Sequence, residues 1–75
     1  MTRLPALKPK KVLRAFKRAG FFVHHTRGSH YYLKHPEKPG LLVTLPYHGK
    51  DLKRKTLFSI LEQAGLTPEE FVNML

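Results

Sequence analysis

Apolar residues near the start of the chain recur at the spacing of an amphipathic helix. After Pro9, a residue suited to the first helical position, apolar side chains return every three or four residues as far as Ala19. Cations fill most of the positions between them, and Gly20, a residue typical of helix ends, follows. The pattern predicts a helix over residues 10–19, preceded by a loose basic arm over residues 1–8.

The next part of the chain consists of short runs rich in aromatic and β-branched side chains. Such runs predict strands over residues 21–27, 30–35 and 41–45. Gly28-Ser29 forms a tight turn between the first two strands, and residues 36–40, which include two prolines and a glycine, form a loop before the third. Because the links between consecutive strands are short, we expect an antiparallel three-stranded meander.

Helical spacing returns in the last third of the chain. A second helix is predicted from Lys53 or Thr56 to Ala64, with Gly65 at its end. Residues 67–70 read Thr-Pro-Glu-Glu, the pattern of a capping box with proline at the first helical position, and they predict a short third helix.

These elements predict an α+β fold in the order α-β-β-β-α plus a short C-terminal helix. A three-stranded sheet needs cover on its apolar face, and the two longer helices supply it on one side. Seventy-five residues are expected to form one domain, residues 1–75. The chain has no cysteine and no apolar run of membrane-spanning length, so we expect a cytoplasmic protein without disulfides or membrane attachment.

The charge distribution indicates that this small domain binds a polyanionic partner. The net charge is +9 at pH 7, and all fourteen lysines and arginines lie at or before Lys55. The last twenty residues carry three acidic side chains and no lysine or arginine. A strongly basic domain is typical of nucleic-acid binding, although a solvated charged surface is the simpler alternative.

Gly28-Ser29-His30 is the stretch best suited to chemistry. In a regular strand His30, Tyr32 and Lys34 share one face, and since this set is the more polar we expect it on the open side of the sheet. Histidine is the side chain best suited to proton transfer near neutral pH. A histidine within a cationic region suits cleavage of a phosphodiester; an ordinary surface histidine is the alternative.

Other residues are candidates for supporting roles. His48, in the loop after the third strand, is either a second acid–base group, a phosphate donor or a plain loop histidine. His24 and His25 are expected to face opposite sides of the first strand, and the spacing of the five histidines does not suggest a metal site. Cations at the entrance to the second helix favour phosphate contact over a merely solvated helix start: Lys50, Lys53, Arg54 and Lys55.

Three segments in this order resemble the HicA family of toxins: Gly28-Ser29-His30, residues 45–49 (LPYHG) and residues 56–66 (TLFSILEQAGL). The resemblance extends from the first helix to Phe71. It implies a double-stranded-RNA-binding-domain-like fold and a small RNase of a toxin–antitoxin pair, which cleaves mRNA without metal or other cofactor. The implied partners are RNA and a HicB-type antitoxin. Lys55 departs from the family pattern, which often has glycine there.

On this reading His30 is the catalytic residue, and Ser29, Tyr32 and His48 are candidate auxiliary groups. The residues expected to bind phosphate are one lysine of the second strand and the cations around the start of the second helix: Lys34, Lys50, Lys53, Arg54 and Lys55. Two rival functions remain open at this point. The same charge and fold order would serve an RNA-binding module without catalysis or, less readily, a DNA-binding accessory protein.

Overall fold

The computed structural model describes residues 3–75 and confirms the predicted α+β order. The sheet has the strand order β1-β2-β3, and both strand pairs are antiparallel. This is an architecture consistent with a double-stranded-RNA-binding-domain-like fold. The elements are α1 (Pro9–Arg18), β1 (Phe22–Arg27), β2 (His30–His35), β3 (Lys38–Pro46), α2 (Arg54–Ala64) and α3 (Pro68–Met74).

The helices and the inner face of the sheet enclose one apolar core. Leu33 on β2 and Val43 on β3 are fully buried, and α2 makes the most extensive helix–sheet contact, along β3. Phe16 of α1 lies between the rings of Phe21 and Phe71, with ring-centre distances of 5.1 and 5.9 Å. The opposite face of the sheet is left without a helix among residues 3–75, so it is available for a site.

The N-terminal segment is packed against the core, so the expectation of a loose arm is wrong for residues 3–8. Leu4 and Leu7 are buried, and the Leu52 backbone N–H donates a hydrogen bond to the Leu7 carbonyl at 2.8 Å. Burial of a leucine side chain contributes about 1.5–3 kcal/mol, which is substantial for a small domain. Residues 1 and 2 of the predicted arm lie outside the described residues.

Strand β3 is longer than predicted, because it begins at Lys38 and leaves only Pro36-Glu37 as the turn. Pro39 has no backbone N–H to donate, yet a proline is tolerated here because β3 is an edge strand. The register between β2 and β3 is irregular between Leu33 and His35, which absorbs the extra residues of β3. Pro39 and Gly40 therefore lie in the irregular first part of β3 and not in a loop.

The helix ends follow the predicted pattern. Gly65 caps α2 in the left-handed conformation, with φ of 71°. At the start of α3, the Glu70 N–H donates to the Thr67 hydroxyl and the Thr67 N–H donates to the Glu70 carboxylate. Hydrogen bonding by Thr67, first through its backbone N–H and then through its side chain, holds the pKa of Glu70 below its usual value. None of the helices formed by residues 3–75 is long and apolar enough to cross a bilayer.

Candidate active site

The β1–β2 turn fixes the position of His30. Gly28 has a φ of 59° and the φ of Ser29 is not positive, which is the pattern of a type II′ hairpin turn. A side chain at Gly28 would meet no other atom within 4 Å, so the glycine is required by its backbone conformation and not by space. A two-residue turn places Arg27 and His30 directly opposite each other, as the strand register shows.

A second contact holds the same hairpin end against β3. The Tyr47 backbone N–H donates to the Ser29 carbonyl at 2.7 Å, and Pro46 is the β3 partner of His30. The rings of Tyr31 and Tyr47 stack beneath, 4.4 Å apart and within 14° of parallel. His30 is therefore held on a rigid part of the sheet, with Arg27 on one side and Pro46 on the other.

His30 and Arg27 are both exposed, and they lie on the face of the sheet opposite the helices. Side chains alternate along β2, so His30, Tyr32 and Lys34 face outward while Leu33 is buried. Directly opposed residues of antiparallel strands have Cβ atoms about 4.5–5.5 Å apart. The structure thus brings to His30 an arginine that the sequence reading did not single out, although the symmetry of positions about Gly28-Ser29 indicates it.

His24 and His25 lie on the same side of β1, so the prediction that they face opposite sides is wrong. The strand register shifts between Val23 and His25, and this bulge adds one residue opposite Tyr32. The two imidazoles come together with 2.8 Å between their Nδ1 atoms. The ring of His25 stacks on that of Tyr32, 4.4 Å away and within 12° of parallel.

His48 lies in a cleft that adjoins the His30 site. The cleft has a volume of about 290 Å³, and Pro46, the strand partner of His30, is one of its walls. His48 Nδ1 accepts a hydrogen bond from the Lys50 backbone N–H at 3.2 Å, so the hydrogen of the neutral ring is on Nε2. Lys50 and Lys53 also line this cleft, which brings two of the predicted phosphate-binding cations to His48.

The other predicted phosphate-binding residues are not part of this cleft. Lys34 pairs with Phe22 and lies four residues from His30 along β2, a separation of about 13 Å. Arg54 lines a different cavity, between the N-terminal segment and α2, and Lys55 is exposed on the first turn of α2. The five cations therefore form a divided set, of which Lys50 and Lys53 share a cleft with His48.

His35, by contrast, has a structural role. Its Nε2 is 3.0 Å from the Ala19 carbonyl, its Nδ1 accepts from the Glu37 N–H at 3.1 Å, and its ring meets Phe21 edge-on. A Cβ at Gly20 would lie only 2.8 Å from His35 Nε2. His35 thus joins the end of α1 to the β2–β3 turn.

A comparison with known protein families identifies the family of this chain. The family described as the HicA toxin of bacterial toxin–antitoxin systems matches residues 9–66, from the start of α1 to just past the end of α2. The chain belongs to the HicA toxin family. Membership identifies it as a toxin and implies an antitoxin partner. No curated protein sequence matches the chain closely enough to count as a relative.

The matched part of this HicA toxin contains the whole candidate site. Arg27, His30 and the His48 cleft lie within it, whereas the N-terminal segment and α3 lie outside. Within residues 3–75, no three histidine or acidic side chains come together in a cluster that could hold a metal ion. The polar groups at the site are imidazoles, cations, a phenol, the hydroxyls of Ser29 and Thr56, and one carboxylate, that of Asp51 in the His48 cleft.

The HicA toxin also carries positive charge away from its open sheet face. Exposed cations cover the outer side of α1, which packs on the other side of the sheet: Lys10, Lys11, Arg14, Lys17 and Arg18. Positive charge therefore surrounds much of the molecule. Arg27 differs from the remaining cations in lying opposite His30, and Lys50 and Lys53 differ in lining the cleft of His48.

Proposed function

We propose that this toxin is an endoribonuclease that cleaves mRNA by transesterification, without a metal ion, and that His30 is its general acid–base group. The observation that carries the proposal is the placement of an exposed histidine directly opposite Arg27, on the open side of a basic domain. A group that moves a proton and a group that holds a phosphate are the two components that such a cleavage needs.

In the reaction, the ribose 2′-oxygen attacks the adjacent phosphorus and loses its proton. The bond from phosphorus to the 5′-oxygen breaks, and that oxygen gains a proton. The products are a 2′,3′-cyclic phosphate and a 5′-hydroxyl. We assign one of these proton transfers to His30, which therefore has to lie within hydrogen-bond reach of the 2′- or 5′-oxygen.

For the second proton transfer we favour His48 over Ser29 and Tyr32. His48 has its ring hydrogen on Nε2 and lies just beyond Pro46, the strand partner of His30. The Ser29 carbonyl accepts from Tyr47, and the ring of Tyr32 stacks on His25. The stack fits Tyr32 as a group that shapes the site, and the Ser29 contact, made by its backbone and not by its hydroxyl, fixes the turn that carries His30.

Arg27, Lys50 and Lys53 are the groups that we assign to the phosphate. The planar guanidinium of Arg27 can donate two hydrogen bonds to one phosphate, and it is positioned by the same turn that positions His30. Lys50 and Lys53 line the neighbouring cleft on either side of Asp51 in the sequence, and α2 begins there without an acidic residue in its first turn. Lys34, Arg54 and Lys55, which lie further away, are left to contact the RNA backbone on either side.

We further propose that the implied antitoxin is of the HicB type and that it covers the open sheet face in the cytoplasm. Phe22 and Leu42, which are 43% and 44% exposed, are large apolar side chains at outward positions of β1 and β3. A cover over this face would bury them together with His30. The same face would then serve RNA only after the antitoxin has left.

The proposal predicts RNA cleavage in the presence of EDTA. The purified chain should cut a ribo-oligonucleotide and leave the matching DNA intact, because DNA lacks the attacking 2′-hydroxyl. Gel analysis of both substrates, with and without EDTA, makes the measurement. Retention of RNA without cleavage would favour the non-catalytic RNA-binding module instead. Activity that is lost in EDTA and restored by Mg²⁺ would contradict the metal-free mechanism.

A further inference from the structure

The stack formed by His25 and Tyr32 has no role in the proton transfers proposed above. The two rings are 4.4 Å apart and within 12° of parallel, and they stand on the open face at neighbouring positions of β1 and β2. His24, the extra residue of the bulge, meets His25 edge to edge, with 2.8 Å between the two Nδ1 atoms and the rings 80° apart. His24 therefore holds the His25 ring by its edge.

The Tyr32 end of the stack faces strand β3. The residue opposite Tyr32 on β3 is Thr44, whose side chain is too short to cover a phenol ring. Among residues 3–75, His25 is the one aromatic side chain that pairs with Tyr32. Tyr32 is half-buried, and its second face is thus left towards a small polar residue and without an aromatic partner among residues 3–75.

Tyr32 lies between His30 and Lys34 on the outward face of β2. Same-face residues two apart on a strand are separated by about 6.5–7 Å. Along β2 the outward groups are His30, then Tyr32, then Lys34, which are an acid–base group, an aromatic ring and a cation. A strand with its scissile phosphate at His30 would place the adjacent base at Tyr32 and a more distant phosphate towards Lys34.

We propose that His25 and Tyr32 form a stacking platform for one unpaired base of the RNA, next to the scissile phosphate. The proposal rests on the proposed function, and it adds a group that recognises the base rather than the phosphate. Aromatic stacking accepts every base because each has a π-face, so the platform favours single-stranded over paired RNA without demanding one sequence. His25 positions the Tyr32 ring, and Tyr32 receives the base.

The test separates base contacts from phosphate contacts. In the His30→Ala protein, which leaves RNA uncut, affinity is measured for octauridylate and for an abasic ribose-phosphate octamer with the same number of phosphates. The ratio of the two affinities reports base recognition alone. We expect the ratio to fall by about five- to 150-fold when Tyr32→Ala is added, the range that loss of a stacked base gives. Addition of Tyr32→Phe should preserve the ratio.

Two further variants exclude a merely structural effect. Tyr32→Leu keeps an apolar side chain but has no ring. It should fold, which its thermal unfolding midpoint would show, and its affinity ratio of octauridylate to abasic octamer should still fall as it does in Tyr32→Ala. Phe58→Ala removes an aromatic residue of α2 that is 43% exposed, and it should leave the ratio unchanged. The stacking platform is contradicted if the affinity ratio is near one in the His30→Ala protein, or if Tyr32→Ala and Tyr32→Leu leave it unchanged. Either result leaves the proposed function standing. Failure to bind either octamer overturns the proposed function as well.

Discussion

Replacement of His30 by alanine is expected to slow RNA cleavage by about 10²- to 10⁴-fold, the usual contribution of a positioned acid–base group. The side chain is exposed at the start of β2, so its loss should change the free energy of unfolding by no more than about 0.5 kcal/mol. The measurement is the cleavage rate constant at saturating enzyme, together with the thermal unfolding midpoint of the same preparation.

Asn73→Ala is the control for this variant. Asn73 is likewise exposed, but it lies on α3, outside the part of the chain that matches the family. It should cleave RNA at the rate of the unmodified protein. A pure, folded His30→Ala protein with a near-normal rate constant would show that another residue carries the proton transfer.

The second large effect is expected at Arg27. Arg27→Met keeps the length of the side chain and removes its charge, and it should lower the cleavage rate constant by about 10²- to 10³-fold, as loss of one donor to a developing negative charge does. Arg27→Lys should recover part of the rate, because the charge returns without the planar pair of donors. Single-turnover rates at several RNA concentrations distinguish this loss from weaker binding.

Arg14→Met is the matched comparison for Arg27→Met. Arg14 is also exposed, but it belongs to α1, on the other side of the sheet. Both variants lose one unit of positive charge, so both should weaken general attraction of RNA to a similar extent. If the two variants have equal cleavage rates at saturation, Arg27 acts only through the overall charge and not at the phosphate.

Much of the fold was predictable because its elements have strong local patterns. The apolar spacing before Gly20 and Gly65 defines α1 and α2 to within a residue or two, and the capping box defines the start of α3. Burial of Leu4 and Leu7 was not predictable from pattern, because a short segment without regular structure has no periodicity. The extension of β3 through Pro39 depends on its edge position, which is a property of the sheet rather than of residues 36–40.

The candidate site was predictable in part for the same reason. His30 stands out by its position after a glycine turn, and alternation along β2 correctly places Tyr32 beside it on the outward face. The bulge at His24 reverses the alternation of β1, so a period of two could not show that His24 and His25 share one side. Arg27 could not be singled out from a motif, because its place opposite His30 comes from the register across the turn.

The central claim is that the toxin cleaves RNA through attack by the ribose 2′-hydroxyl, with one of the two proton transfers at a histidine on the open sheet face, and the chemistry of the product ends tests that reaction most directly. The major cleavage position of a labelled RNA is first located in EDTA, and the same RNA is then made with a 2′-deoxynucleotide at the 5′ side of that bond alone. We predict cleavage products with 2′,3′-cyclic phosphate and 5′-hydroxyl ends from the first RNA, and no cleavage at that bond in the second. Products with 3′-hydroxyl and 5′-phosphate ends, or unchanged cleavage of the deoxy-substituted bond, would contradict the account.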